Sequence, residues 1–505
     1  MRPAFEGFTW RERYTRRKRM DLPEIQEGKL ALYDRAGLAD PPAMYRWVTL
    51  PHAGCAEQSA CIRNALGRHC GEAGVPGGPR EGSSEDDRLR SDPLNLAGRA
   101  RLRESAISAS PVVSSLRPKT VIIGAGVMGL GIAWRLAQAG CRVTVYDRAE
   151  AGHGASWAAA GMLAAAVETE PGEEKLLALT LESQRMWPAF ASELETATGT
   201  SLGYRDEGTI VVALTRDDAE QLRFTYDFQK SLGLEIEWLS GAEARRREPH
   251  LRPGIPGAVL SPRDHQVDNR RLACALAQAA RGVGAVLREH DPVREVEVSG
   301  GRACAVVTDH GRDPADVVVL AAGAWSREIG GISPTDLPPV RPIKGQMLAL
   351  QMDPAAPLLR HVVWLPRGYL VPRQDGRLIV GATVEERGFD DALTAGGLFA
   401  LIESAWRAMP AIEELPLAEM WVGFRPGSRD DAPMLGPSGV DRLVVATGHH
   451  RNGILLTPLT AHAVSGYVLT GRLSDAVAPF TPERFRKGQT QSTIGTDCTI
   501  AAGAR

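Results

Sequence analysis

The chain has no run of apolar residues near the roughly 20 needed to cross a bilayer, no strong basic excess, and few cysteines, seven in 505 residues. The first absence excludes a spanning helix, so no membrane partner is expected. The second, with a formal net charge of -2, excludes the strongly basic surface that nucleic acid requires. Cysteines that are odd in number and widely spaced make no disulfide framework in a chain of this size, and a reducing, cytoplasmic setting is expected. His52, Cys55, Cys61, His69 and Cys70 show no CxxC or HxxxH spacing, so no metal site is expected. Lysine is scarce beside arginine, and an arginine read in isolation therefore says little about function.

The length exceeds the roughly 250 to 300 residues at which single cores stop growing, which predicts more than one domain. Residues 1 to 117 stand apart. The first twenty are basic without the apolar stretch of a secretory signal. From 71 to 110 the composition is Gly, Pro, Ser and charge, too poor in large apolar residues to offset chain entropy. This segment reads as a largely disordered extension without a catalytic role.

Order begins at Lys119. TVIIGAGVMGLGIAWRLAQAGCRVTVYDR reads as an apolar strand, a glycine turn, a helix with apolar Val127, Leu130, Trp134 and Ala137, and a second strand. Gly124 permits the tight turn, Gly126 lets the backbone approach a pyrophosphate, and Gly129 lets helix and strand pack closely. The first turn of the helix, with Val127 and Met128, offers free N–H groups to phosphate. Asp147 ends the second strand where a carboxylate can accept ribose hydroxyls, with Arg148 beside it. A dinucleotide site follows, though NAD and FAD share this fingerprint. Three later stretches bear on the choice. GASWAAAGMLAA places Ser156, Ala160, Gly161 and Met162 where small residues suit an extended cofactor. VVVLAAGAWS is a buried strand ending at Ala322 and Gly323, where a side chain is expected to collide with a neighbour or ligand, and is followed by Trp325. GHHRNGILLTP follows the apolar run Leu443 to Ala446 and holds His450, Arg451, Asn452, Gly453, Ile454 and Leu455. In it, Asn452 and Gly453 are expected to take left-handed angles, and a helix to begin with Thr457 as cap and Pro458 in the first turn. Elsewhere strands are expected near 208–214, 303–308, 317–320, 346–350, 369–372 and 378–380, and helices near 173–198, 217–232, 268–282 and 396–408.

These pieces, with HQVDNRRL, RPIKGQML, GYLVPRQDGRLIVGAT and GFRPGSRDDAPMLG, resemble in order and spacing the FAD-dependent amine oxidases of the D-amino acid oxidase and sarcosine oxidase group. Within that group the resemblance is to the glycine oxidases of thiamine biosynthesis, over about residues 118 to 475. It implies an α/β chain. A Rossmann-like FAD-binding domain would be assembled from 118–205, 265–340 and 426–480. A second, α+β substrate domain on an antiparallel sheet would come from 206–264 and 341–425, and 481–505 would form a tail.

The resemblance further implies that Arg425 clamps a substrate carboxylate through a bidentate fork, that Tyr369 shares it, and that Arg451 assists on the substrate side of the flavin. The implied reaction is oxidation of glycine through an imine to glyoxylate, ammonia and hydrogen peroxide, with dioxygen as acceptor. Hand-over of the imine to a thiazole-forming enzyme and a homo-oligomeric state are also implied. No general base is nominated, and His449 and His450 are read as packing near the flavin or the substrate rim. The chain lacks a cysteine in 420–455 and a lysine in 375–395, where sarcosine oxidases carry them, so FAD is expected to be held noncovalently. Asn269 stands where a proline is expected, with an effect anticipated only on a helix start, and Arg367 bears on entrance charge. The alternatives are a sarcosine or D-amino acid oxidase or dehydrogenase of the same group, and a non-catalytic FAD-binding protein.

Overall fold

The computed structural model describes residues 117–486; the expectations for the extension before them and for most of the tail after them lie outside the described residues. Two sheets organise the rest. The first has six strands in the order Met434–Pro437, Leu443–Thr447, Val317–Leu320, Lys119–Ile123, Arg142–Tyr146 and Val286–Arg288. Its pairs are parallel except the outermost hairpin formed by Met434–Pro437 and Leu443–Thr447. Central strands of such a sheet are buried on both faces and read as continuous apolar runs, as VVVL and LVVAT do.

The alternation of side chains across a strand divides two cores. Ile122 and Val319 face a helical layer of Val127–Gln138, Glu174–Thr198, Asn269–Gly282 and Gly453–Thr470. Val121, Ile123, Val318 and Leu320 face a three-stranded sheet of Val293–Ser299, Arg302–Thr308 and Gly311–Pro314. The helix Gly453–Thr470 has no single apolar face and is buried over most of its length, with His462 and Thr470 exposed, as expected for a largely buried helix. Gly131 lets it come close: a Cβ there would lie 3.1 Å from that of Ala461. Trp187, fully buried, donates its indole N–H to the Leu455 carbonyl at 2.8 Å, and Ser183 Oγ donates to the same oxygen at 2.7 Å.

The second sheet has eight strands in the order Leu417–Gly427, Arg341–Gln351, Arg377–Gly381, Gly368–Pro372, Val362–Leu365, Thr209–Ala213, Gly257–Ser261 and Glu237–Leu239. The expectation of an antiparallel sheet needs one correction: Val362–Leu365 runs parallel to Thr209–Ala213, because the chain re-enters the sheet from a distant segment there. One face is covered by Gly241–Arg247, Ala395–Ala408 and the short turn Pro410–Glu414. The opposite face, with Met347, Val371, Ile379, Trp421 and Tyr369, packs against residues 157–162 beyond the second strand of the first sheet. The cleft between the two sheets is therefore lined where the glycine fingerprint and the motif strands converge. Among the described residues, no helix is long and apolar enough to cross a membrane, and no cluster of His, Cys, Asp and Glu could hold a metal ion.

Candidate active site

The glycine fingerprint is built as its sequence requires. Gly124 has φ +106°, and a Cβ there would lie 2.5 Å from the Ala321 carbonyl oxygen. A Cβ on Gly129 would meet the Gly124 oxygen at 1.9 Å. Gly126 precedes its helix in an extended conformation without a side-chain cap. The first intrahelical bond is Leu130 N–H to Gly126 O, at 2.9 Å, so the amides of Gly126, Met128 and Gly129 precede it. The Val127 amide donates to Ser156 Oγ at 3.0 Å. Asp147 accepts the Ala125 amide on one oxygen at 2.7 Å and the Ala149 amide on the other at 2.9 Å. Burial pushes its carboxyl above the ordinary carboxylate range, against those two amides. An uncapped helix start, a cradle that a Cβ would fill and a carboxylate fixed by backbone N–H groups together fit a dinucleotide pyrophosphate and ribose.

The other nominated residues divide by what they touch. Ala160 O accepts Arg373 Nη2 at 2.6 Å. Gly161, at φ +71°, lies against the Val267 carbonyl, leaving no room for a side chain. Met162 pairs with Gln266 and joins Tyr369 and Trp421 in one apolar cluster. Gly323 needs no close neighbour to explain it, since a Cβ there would meet nothing within 4 Å; its requirement is φ +56°. Trp325 stacks with Phe389 at 5.0 Å and lies under the Arg148 guanidinium at 3.7 Å.

Around GHHRNGILLTP the structure corrects three expectations. The left-handed residues are Gly448 (φ +78°) and His450 (φ +47°), whereas Asn452 and Gly453 have negative φ. The helix starts at Gly453 with Asn452 as N-cap. Thr457 therefore sits inside it, bonding back to the Gly453 carbonyl at 3.0 Å, and Pro458 is interior. Ile454 and Leu455 turn their side chains into the core, so only their first-turn amides can face a ligand. His449 is buried against Thr460 Oγ1 at 3.0 Å, and burial pushes its pKa down to about 3, so it is a neutral core residue and not part of a rim. His450 Nδ1 lies 3.8 Å from Asp431.

On the substrate side, Arg425 lies opposite Ile343 in the strand pair, and Nη1 donates to the Thr383 carbonyl at 3.2 Å. No carboxylate among the described residues pairs with it. Gly345 makes room, since a Cβ there would lie 2.6 Å from Arg425 Nη1. Tyr369, tilted against Trp364 at 5.5 Å, is close enough to Arg425 to feel its charge. Burial raises the phenol pKa all the same.

Arg451 differs from the expectation of a guanidinium that assists Arg425. Its fork is taken: Nη2 lies 2.6 and 2.8 Å from the two Glu173 oxygens and 2.9 Å from the Glu168 carbonyl, and Nε lies 3.0 Å from Glu168 Oε2. Both acids are remote in sequence, which is why the substitution of one partner for another was not readable.

Sequence reasoning missed four supports. Glu168, buried beside Arg451, has one sequence signal, an acid closing the alanine-rich run AAAVE. Asp264, fully buried, accepts the Ala166 and Val167 amides and Gln184 Nε2 at 2.8 to 3.0 Å, fixing the segment that leads to Glu168. Asn269 does more than start a helix: its amide donates to the Ser156 and Trp157 carbonyls at 2.8 and 2.9 Å and its oxygen accepts from Arg373. Lys344, wholly buried, donates to the Ala392 carbonyl and to Asp390 at 2.6 and 3.1 Å, tethering the loop that carries Phe389 to Trp325.

Residues 119–466 match the family described as FAD dependent oxidoreductase, and the chain belongs to that family; its cofactor is FAD. Among its relatives, the glycine oxidase of Geobacillus kaustophilus is 37% identical over 371 residues, covering 73% of this chain and 97% of that protein. The crystal structure of a glycine oxidase from the same organism superposes with a TM-score of 0.68 at 36% identity, covering 73% of this chain and 99% of that one. The bifunctional protein ThiO/ThiG of a Synechocystis species is 38% identical over 372 residues, 72% of this chain. The chain spans about half the length of that relative, 54%.

Proposed function

We propose that the protein oxidatively deaminates glycine, consuming water and dioxygen and giving glyoxylate, ammonia and hydrogen peroxide by way of an imine. The observation that carries this reading is Arg425, a guanidinium with one backbone partner and no acid among the described residues, held beside Tyr369 in the cleft. The high coverage of glycine oxidase relatives supports it. The bifunctional relatives motivate a further step, delivery of the imine to a thiazole-forming partner before it hydrolyses.

FAD, when bound, supplies the two-electron acceptor for the substrate's α C–H bond. The chain's own residues bind and orient. Arg425 offers two parallel N–H donors to the carboxylate, which fixes the α-carbon in position. Tyr369, kept protonated by burial, donates its O–H to the same group. Asn452 and the uncapped start of Gly453–Thr470 point partial positive charge into the cleft, where a reduced acceptor would carry negative charge.

The test is anaerobic addition of glycine to the purified yellow protein. Bleaching of the oxidised flavin, followed by stoichiometric peroxide on admission of air, is expected. Flavin that stays oxidised with glycine but bleaches with sarcosine or a D-amino acid would move the substrate assignment. Dye reduction without peroxide would make the protein a dehydrogenase. A colourless preparation, or flavin that no small amine reduces, would leave a non-catalytic role.

A further inference from the structure

Glu168 is the buried ionisable group in the cleft that the proposed reaction leaves unused. Its side chain is 9% exposed. Oε2 lies 3.0 Å from Arg451 Nε but is buried without a hydrogen bond among the described residues, so the contact is an ion pair without hydrogen-bond alignment. Five charged or titratable groups lie near enough to interact with it electrostatically. Arg451 comes from the turn before Gly453–Thr470 and Glu173 from the start of Glu174–Thr198. Asp264 precedes the short strand His265–Gln266, Arg425 sits on Leu417–Gly427 and Tyr369 on Gly368–Pro372. Asp264 is consumed by backbone amides and Glu173 by Arg451. Glu168 is therefore the carboxylate with unused acceptor capacity near Arg425.

We infer that Glu168 receives the ammonium of the zwitterionic substrate and accepts one of its protons, while Arg425 holds the carboxylate. This deepens the glycine oxidase reading and rests on it. In the step, one N–H bond breaks and one O–H bond forms on Glu168 Oε2. No electrons are transferred, and the lone pair left on nitrogen is available to assist loss of the α hydrogen. Arg451 is a positioning residue, pinned by Glu173 on one side and holding Glu168 on the other. Burial pushes the Glu168 pKa up to about 7, against the opposing pull of Arg451, which suits a proton acceptor working near neutrality.

The sign of the pH dependence follows. The carboxylate form is active, so kcat/KM for glycine should rise as pH climbs through the Glu168 pKa. In Glu168→Gln, with FAD still bound, kcat/KM near neutrality should fall by about 10²–10⁴-fold, and its acid limb should move towards titration of the free substrate ammonium. Arg451→Gln removes the opposite charge and should shift the acid limb to higher pH. Glycolate, which has the carboxylate but no amine, should bind Glu168→Gln as tightly as the wild type, read by the change it causes in the flavin spectrum. A Glu168→Gln profile that keeps the wild-type acid limb would overturn the inference. So would parallel weakening of glycolate and glycine, which marks a collapsed pocket. Failure of the underlying reading is distinguishable, since glycine would then not bleach the wild-type flavin.

Discussion

Replacing Arg425 with alanine tests the anion clamp most directly. In the folded protein the guanidinium donates to the Thr383 carbonyl at 3.2 Å and interacts with the Tyr369 hydroxyl, and makes no ion pair among the described residues. Its loss should therefore cost stability only about 1 kcal/mol, and FAD content should be unchanged. Binding is a different matter. Two charge-assisted N–H donors to a carboxylate contribute roughly 1.5–3 kcal/mol each, so about 3–6 kcal/mol is at stake. That corresponds to about 10²–10⁴ in affinity. Initial rates of peroxide formation across a glycine titration should show the loss in apparent KM, with flavin absorbance confirming bound cofactor. Arg425→Lys keeps the charge without the planar fork, so it should recover part of the loss. An Arg425→Ala protein that retains FAD and whose KM stays within about threefold of wild type would remove Arg425 from the clamp.

The remaining predictions concern the supports. Gly129→Ala places a Cβ 1.9 Å from the Gly124 oxygen; backbone must move, at a cost of about 1–3 kcal/mol, and the purified protein should carry far less flavin. Trp187→Phe keeps the ring in the core but removes one of two donors to the Leu455 carbonyl, so urea unfolding should show a loss of about 1 kcal/mol. Trp187→Ala should lose about 3–5 kcal/mol. Equal stability of the phenylalanine and tryptophan proteins would show the indole bond to be without net value.

The dinucleotide unit was legible because its requirements are local. Three glycines and an acid stand at fixed offsets in one βαβ unit, and the partners of Gly129 and Asp147 are nearby backbone atoms that any sequence supplies; the contact of Gly124 with the Ala321 carbonyl comes from a distant strand. Helices such as Glu174–Thr198 and Asn269–Gly282 were legible from periodicity. Gly453–Thr470 misled because a largely buried helix carries no periodic apolar face, and Thr457 followed by Pro458 imitates a start. The strands Gly257–Ser261 and Leu417–Gly427 escaped notice because pairing across the sheet, and not their own pattern, makes them strands. Arg451 and Glu173 meet across 278 residues, and no local reading could say which acid an arginine would choose.

That pairing changes the chemistry of the cleft. With Arg451 neutralised by Glu173 and only ion-paired to Glu168 without a hydrogen bond to its carboxylate, Arg425 is left as the cation without an acid partner among the described residues of the cleft, and Glu168 as the acid with unused acceptor capacity. Opposite charges held apart in a buried cleft favour a ligand that carries both, since a carboxylate or ammonium taken up alone would leave a buried partner unsatisfied. Glycine and sarcosine both satisfy that condition, so charge selects amino acids over simple amines or acids but does not separate the two. Discrimination between them falls to the apolar wall of Tyr369, Met347 and Trp364, where one methyl is worth only about 1–3 kcal/mol. On the proposed reading, the class of substrate would be set by Arg425 and Glu168, and its size by the packing around Tyr369.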